Sequence, residues 1–210
     1  MLKILIADDH AIVRKGLKQI LSNNPDMTVA GEADSGAQAL EMIRKEDWDV
    51  VLLDISMPDG NGLDTLKQVK KEKPDLPILM LSIYPEDQYA IRTIKAGVSG
   101  YLTKDSAPEE LVEAIRKVAG GGKYISATLS EKLAEYLEKK SERALHENLS
   151  DREYQVMVMI AAGKTVSQVA EEMCLSVKTI STNRSRALAK MGMENNAQFT
   201  HYAVKKGLVS

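Results

Sequence analysis

Cysteine is almost absent from this sequence, which has a single residue of this type among 210. One cysteine can form neither an internal disulfide nor a thiolate metal cluster, and we expect Cys174 to be a small buried apolar residue. Long hydrophobic runs are also missing, since none approaches the roughly 18 apolar residues needed to cross a bilayer. No cleavage-site pattern follows the first residues. We therefore predict a cytoplasmic protein without disulfides and without a membrane partner.

Charge is distributed unevenly along a chain whose formal net charge is only −2. Residues 1–121 carry 15 Lys and Arg against 20 Asp and Glu, whereas residues 148–210 carry eight against five. The length of 210 residues is enough for two small domains, each with its own core. An acidic first part and a basic second part are typical of a metal or phosphoryl site followed by a domain that binds a polyanion.

Short apolar runs alternate with helical patterns in the first half of the chain. The runs are fully apolar and too short for helices, as in a parallel sheet that is covered on both faces. They occupy residues 3–7, 28–31, 50–53, 78–81 and 100–102. With right-handed crossovers, this pattern predicts a doubly wound, flavodoxin-like α/β domain of five parallel strands and five helices over residues 1–121.

A glycine triplet at residues 120–122 ends this domain, and residues 122–147 are predicted to form a linker. Four apolar residues of the linker share one helical face: Leu129, Leu133, Tyr136 and Leu137. The predicted amphipathic helix either packs on a neighbouring domain or second subunit, or is a solvated spacer.

Residues 148–210 show only helical patterns, with clear start and stop signals. Ser150 with Glu153, and Thr165 with Gln168, have the spacing of a capping box, and glycines follow the helical patterns at positions 163, 192 and 207. A short helix, a tight turn and a longer helix over residues 177–191 predict a helix-turn-helix within an all-α, four-helix domain.

Polar side chains stand where the predicted strands of the first domain end. Asp8 and Asp9 follow the first strand, Asp54 ends the third, Ser82 ends the fourth, and Lys104 lies just past the fifth. Ligands of an open α/β sheet bind beyond the carboxyl ends of its strands, so we expect these side chains to converge. Three adjacent carboxylates need a compensating cation, and hard oxygen ligands suit Mg²⁺.

Asp54 is the predicted phosphoryl acceptor, because it ends the most apolar strand and is held rigidly at the rim of the sheet. A carboxylate that faces a divalent cation can form an aspartyl phosphate. The metal would neutralise charge on the phosphoryl oxygens while Lys104 bridges carboxylate and phosphate. Each residue alone has an ordinary explanation, such as a turn or a helix cap, and the prediction depends on their combination.

Three segments of the first domain resemble two-component receiver domains, namely Ile6–His10, Leu53–Gly62 and Ala96–Lys104. The resemblance implies a sensor histidine kinase as partner. It also implies a Mg²⁺ site made by Asp9, Asp54 and the Ser56 carbonyl, with Asp8 acting mainly through water.

The same resemblance implies a switch pair, Ser82 and Tyr101. A phosphoryl group would draw the Ser82 hydroxyl inward into contact with it, and Tyr101 would follow into the vacated space. Many receivers have proline after the lysine, whereas Asp105 follows Lys104 here. We assume no cis bond at that position, because a non-proline cis bond costs about 3 kcal/mol.

Residues 149–153, 163–165 and 176–182 resemble the LuxR-type output domain of the NarL/FixJ family, in particular its BvgA/EvgA and GacA/UvrY branches. The resemblance implies a response regulator transcription factor. Phosphorylation of Asp54 would then change dimerisation and the binding of promoter double-stranded DNA, with RNA polymerase as a further candidate partner.

The third helix of the output domain is the predicted DNA reader. Val177, Ile180, Ala187 and Met191 are expected to form its buried stripe. The opposite side and its flanks then carry the residues expected to contact bases or phosphates: Lys178, Thr179, Ser181, Thr182, Arg184, Ser185, Arg186 and Lys190.

The base-contact positions of this helix, matched to the family, carry only short hydroxyl side chains, which are less selective than Arg or Asn. We therefore expect weak binding by one domain and useful affinity only for a homodimer on adjacent half-sites. Asn183 departs from the His or Tyr common in the family, and Val166-Ser167 replaces a frequent Ser-Asn pair, which leaves the docking angle open.

Two other functions would use parts of the same pattern. An Asp54-dependent phosphatase or phosphotransferase of the haloacid dehalogenase type would have a second Asp two residues beyond the nucleophile, but Ser56 stands there. The helical domain of an interaction module would bind a protein or a small inducer, but the sequence has no separate pocket-forming domain for an inducer, and the predicted receiver already supplies the input. The predicted function is therefore a regulator and not an enzyme, apart from self-phosphorylation and self-dephosphorylation at Asp54.

Overall fold

A computed structural model describes residues 1–57, 60–83, 86–126, 130–131 and 144–209. The chain divides into two compact units, residues 1–130 and residues 131–210. The amphipathic linker helix predicted from Leu129, Leu133, Tyr136 and Leu137 lies outside the described residues. The domain boundaries at residues 121 and 147 therefore stay a prediction. Among the described residues, no helix has both the length and the apolar character to cross a membrane.

The first unit is built on a five-stranded parallel sheet with the strand order β2-β1-β3-β6-β7. Its strands are β1 (Leu2–Ala7), β2 (Met27–Ala33), β3 (Val50–Asp54), β6 (Ile78–Ser82) and β7 (Gly100–Thr103). All residues of the central strands β3 and β6 are buried, as expected where helices cover both faces. The predicted doubly wound fold is confirmed.

Five helices connect and flank the strands: α1 (Ala11–Ser22), α2 (Gly36–Lys45), α3 (Gly62–Glu72), α4 (Glu86–Lys95) and α5 (Ala107–Ala119). On one side of the sheet, Leu17 and Leu21 of α1 and Leu111 and Ile115 of α5 pack on apolar strand residues such as Leu52. This packing holds the strand ends, and with them the polar residues that follow, in fixed positions.

A small antiparallel ribbon follows β3 and was not predicted. It consists of β4 (Ser56–Met57) and β5 (Gly60–Asn61), which pair with each other and not with the main sheet. Immediately after it, the first residue of α3 lies against the backbone of β3. A Cβ atom on Gly62 would lie 1.9 Å from the Asp54 carbonyl oxygen, and the Gly62 N–H donates to the Ile55 carbonyl at 2.9 Å. Only glycine fits this close approach.

Residues 144–209, the part of the second unit that follows the undescribed segment, form a short 3-10 helix (Leu145–Asn148) and four α-helices. These are α6 (Asp151–Ala161), α7 (Val166–Glu172), α8 (Val177–Met191) and α9 (Asn196–Lys205). Both predicted capping boxes are present, at Ser150 and at Thr165, and α8 has the predicted bounds. The helix-turn-helix is formed by α7 and α8.

Two expectations about burial in this unit are wrong. Cys174 is exposed and lies in the turn after α7 with a φ of 50°, where it takes the C′ position of a Schellman motif that usually holds glycine. Val177 is 51% exposed, and Leu188 is buried instead. Helical periodicity gives the direction of a side chain but not whether another element lies beside it, and Val177 is the first residue of its helix.

The close approach at Gly62 predicts a stability difference between two glycine substitutions. Gly62→Ala should lower the free energy of unfolding by about 1–3 kcal/mol, because the added methyl group forces a backbone shift. Gly16→Ala is the matched control: its Cβ meets nothing within 4 Å, so it should stabilise α1 by about 0.5–1 kcal/mol. Urea unfolding followed by the fluorescence of Trp48, the single tryptophan, measures both. Equal effects of the two substitutions would contradict the contact.

The strained turn after α7 predicts a stabilising substitution. Cys174→Gly should raise the thermal midpoint of the second unit, since a left-handed conformation costs a residue with a Cβ about 1 kcal/mol. Gly163→Ala, at the corresponding position after α6 with a φ of 92°, should lower it. Far-UV circular dichroism on heating detects both changes. A midpoint that falls for Cys174→Gly would show that the side chain of Cys174 stabilises the turn.

Candidate functional site

The polar residues that follow the strands meet at one edge of the sheet. The parallel register pairs Ala7 with Leu53 and Asp54 with Leu81, so that β1, β3 and β6 end at nearly the same level. Ser82 pairs with Thr103 in the same way. The predicted convergence follows directly from this register.

One lysine lies between two buried carboxylates. The Lys104 Nζ atom is 2.8 Å from Asp8 Oδ2 and 2.9 Å from Asp54 Oδ2. Asp8 and Asp54 are 0% and 1% exposed. The lysine backbone is fixed as well, because its N–H donates to the Ser82 carbonyl at 2.8 Å. One ammonium group thus faces two buried carboxylates, and a second cation would complete the charge balance.

The protonation of Asp54 reflects this environment. Burial raises the pKa of Asp54 to about 7, an effect that Asp8 reinforces and that Lys104 and the Ser56 backbone N–H oppose. Burial also disfavours the charged form of Lys104, but its ion pairs with Asp54 and Asp8 outweigh this and raise its pKa. Asp54 therefore titrates near neutral pH until a further cation stabilises its carboxylate.

Four residues offer ligand atoms that all lie within 4.8 Å of one another: Asp8, Asp9, His10 and Asp54. The His10 N–H donates to Asp8 Oδ1 at 2.8 Å, and its Nδ1 lies 2.6 Å from Asp9 Oδ1. Carboxylate oxygens at this spacing suit a hard divalent cation, so the residues fit the expected metal. Sequence reasoning assigned no role to His10, although its place directly after two aspartates was a signal.

The other predicted site residues of this unit have mixed outcomes. Ser56 follows Asp54 closely, and its backbone N–H stabilises the Asp54 carboxylate, while metal binding through its carbonyl stays a prediction. Ser82 and Tyr101 lie on the adjacent strands β6 and β7 and are both buried. Tyr101 is thus inside the fold already, and the switch movement stays a prediction.

In the second unit, α8 presents one apolar side to the core and one polar side to solvent. Ile180, Ala187 and Met191 are buried, as predicted. Of the residues proposed to face DNA, Ser181 and Arg184 are partly buried and the rest are exposed: Lys178, Thr179, Thr182, Ser185, Arg186 and Lys190.

Two of these cations already have partners within the unit. The Lys190 Nζ atom lies 2.6 Å from Glu153 Oε2, and Arg184 Nε donates to Asn196 Oδ1 at 2.5 Å. Glu153 is buried and also accepts the Ser150 N–H. Burial raises the pKa of Glu153, but Lys190 and Ser150 outweigh this and keep it below its usual range. Lys190 therefore ties α8 to the start of α6.

Known proteins resemble both units. A family model described as the response regulator receiver domain matches residues 4–116, and one described as bacterial regulatory proteins of the luxR family matches residues 147–203. Response regulator UvrY of Escherichia coli K12 is 35% identical over 209 residues, which are 99% of this chain and 96% of UvrY. Response regulator GacA of Pseudomonas aeruginosa is 34% identical over 210 residues, covering 100% of this chain and 98% of GacA.

Solved structures of the response regulator RcsB are also similar. RcsB from Salmonella enterica serovar Typhimurium, bound to promoter rprA in the presence of the phosphomimetic BeF3−, gives a TM-score of 0.63 at 26% identity and covers 96% of this chain and 97% of its own. A structure of two RcsB dimers bound to two parallel DNAs gives a TM-score of 0.60 at 28% identity, with 97% and 98% covered. This chain therefore belongs to the response regulators of the NarL/FixJ family, in which a receiver domain precedes a LuxR-type helix-turn-helix domain.

Proposed function

We propose that this transcription factor is switched by phosphorylation of Asp54 and acts by binding promoter DNA through α8. The observation that carries the proposal is the buried cluster in which Asp54 shares Lys104 with Asp8. A buried acceptor with a ready cationic partner is suited to take up a phosphoryl group.

The metal is proposed to be Mg²⁺, held by Asp9, Asp54 and the Ser56 carbonyl, with Asp8 acting through water. When bound, the ion supplies positive charge for the phosphoryl oxygens as the group is transferred. The closeness of the four ligand residues supports a divalent cation there. Mg²⁺ is chosen because carboxylate oxygens are hard ligands and because the ion binds phosphate well.

The phosphoryl donor is proposed to be a phosphohistidine of a sensor kinase. A carboxylate oxygen of Asp54 forms a bond to phosphorus as the bond between phosphorus and the histidine nitrogen breaks. The leaving nitrogen keeps the electron pair of that bond and takes up a proton from solvent. Lys104, already 2.9 Å from Asp54, then neutralises part of the new charge. Ser82 is the proposed hydroxyl donor to the phosphoryl group, and Tyr101 the aromatic residue that responds to it.

The output is proposed to be DNA binding by a homodimer. RcsB, which this chain resembles, has been seen as dimers on DNA, and the exposed polar side of α8 suits the major groove. Ser181, Thr182 and Ser185 are proposed to contact base edges. The phosphate contacts are assigned to flanking residues: Lys178, Thr179, Arg184, Arg186 and Lys190. Glu153 competes for Lys190, so that contact is the weakest of the set.

The alternative of an enzyme acting on external substrates is not favoured. Ser56 occupies the position where a haloacid dehalogenase-type phosphatase has its general acid. The relatives named above are response regulators over nearly their whole length. Self-phosphorylation from small donors remains part of the proposal.

A phosphorylation assay tests the proposed acceptor. Incubation with acetyl phosphate and Mg²⁺ should add one phosphoryl group to the native chain and to Asp34→Asn, a control at an exposed carboxylate, and none to Asp54→Asn. Intact-mass spectrometry measures the adduct, and fluorescence anisotropy with DNA duplexes selected from a random pool should show tighter binding by the modified chain. Repeated turnover of the donor with no change in DNA affinity would favour an enzyme instead.

The raised pKa of Asp54 predicts a distinct dependence of stability on pH without metal. Between about pH 4 and pH 7 the folded protein holds a proton that the unfolded chain has released, so the free energy of unfolding should fall as pH rises through this range. Asp54→Asn removes this fall and should be more stable than the native chain at pH 8, by an amount on the order of a few kcal/mol, and equally stable near pH 4.

Urea unfolding followed by Trp48 fluorescence over pH 4–8 measures this difference, and Asp34→Asn should behave like the native chain. Mg²⁺ at pH 8 should stabilise the native chain and leave Asp54→Asn nearly unchanged. A native curve that stays flat between pH 4 and pH 7 would mean that Asp54 is ionised throughout.

A further inference from the structure

The hydroxyl group of Thr182 is already engaged within its own helix. Its Oγ1 donates to the Lys178 carbonyl at 2.9 Å, although the residue is exposed. A threonine hydroxyl has one proton to donate, and back-bonding of this kind to the carbonyl four residues earlier uses it. In this rotamer, Thr182 has no proton left for a hydrogen bond to a base. It offers solvent a methyl group and the remaining lone pairs of the hydroxyl oxygen.

Thr182 also occupies the middle of the outer side of α8. Ile180, Ala187 and Met191 mark the buried side. At about 100° per residue, Thr182 lies about 200° around the helix from Ile180. Ser185, one turn later, is exposed on the same side, whereas Ser181 is partly buried. A helix that enters the major groove with this side inward turns Thr182 towards the base edges.

We propose that Thr182 reads a thymine through its methyl group and not through its hydroxyl. In the major groove only thymine presents a methyl group. Cytosine has a hydrogen atom at the same carbon and an amino donor in place of the thymine O4 acceptor. Contact between two methyl groups removes apolar surface of both from water. This inference rests on the proposed DNA binding, and it makes α8 more selective than a set of hydroxyl side chains would suggest.

The chain offers a matched control on another helix. Thr200 of α9 is also exposed, and its Oγ1 donates to the Asn196 carbonyl at 3.3 Å. It has the same side-chain chemistry and the same kind of back-bond, but lies on a helix that is not proposed to enter the groove. Substitution of Thr200 therefore reports the cost of losing a helical threonine methyl or hydroxyl without a base contact.

The experiment combines two threonine variants with a change of one DNA methyl group. The full chain, phosphorylated with acetyl phosphate, first selects its site from a random duplex pool. Each thymine of that site is then replaced singly by deoxyuridine, which removes only the 5-methyl group. Affinities are measured by anisotropy for the native chain and for three variants. Thr182→Val keeps a methyl group and loses the hydroxyl, Thr182→Ser keeps the hydroxyl and loses the methyl group, and Thr200→Ser is the control on α9.

At one thymine of each half-site, deoxyuridine should weaken the native chain about fourfold, as expected for one methyl group lost from an apolar contact. Thr182→Val and Thr200→Ser should keep that ratio. Thr182→Ser should bind the thymine and deoxyuridine duplexes equally well. Circular dichroism verifies that the variants are folded.

The opposite pattern would overturn the inference. If Thr182→Ser kept the sensitivity to deoxyuridine, or if Thr182→Val lost it, the hydroxyl would be the reading group or another residue would contact the methyl group. A selected site in which no thymine responds to deoxyuridine would overturn it as well. Failure of the native chain to select any DNA is a separate result, which would reject the proposed output function itself.

Discussion

The ion pairs of Lys104 with Asp8 and Asp54 are the contacts on which the receiver depends. Isolated charges cannot be buried without a large desolvation cost, so both carboxylates require this ammonium group. Burial is the main reason that the pKa of Asp54 lies near 7; the neighbouring Asp8 raises it further, and Lys104 opposes both. The fold thus holds Asp54 in an environment in which further positive charge would stabilise its carboxylate.

The second unit depends on different interactions. Its charged residues are mostly exposed to solvent, and the positions of its helices are set by hydrogen bonds at the helix ends. Capping boxes at Ser150 and Thr165 fix where α6 and α7 begin. The buried Glu153 serves both the first of these caps and Lys190 of α8. The start of one helix is thereby connected to the end of the helix proposed to read DNA, and a single side chain sets part of their mutual orientation.

Features that depend on neighbours in sequence were predictable, while features that depend on neighbours in space were less so. Fully apolar runs gave the five strands, and cap residues gave the bounds of α8. The convergence of Asp8, Asp54 and Lys104 followed from the rule that parallel strands end at one edge. The ribbon β4–β5 escaped prediction because two-residue strands have no detectable periodicity. The burial of Val177 was misjudged, and the Glu153–Lys190 pair was missed, because both depend on tertiary packing across separate helices.

Because Gly62 lies so close to Asp54, the two sides of Asp54 are unlike. On the α3 side, the backbone of Gly62 is in direct contact with the backbone of β3. Backbone in such contact has no side-chain rotamer to change and cannot move without shifting the whole element. On the β6 and β7 side lie the buried side chains of Ser82 and Tyr101. Under the proposed phosphorylation, a group added at Asp54 would meet rigid backbone on the α3 side and side chains on the other, so that any rearrangement would be directed away from α3.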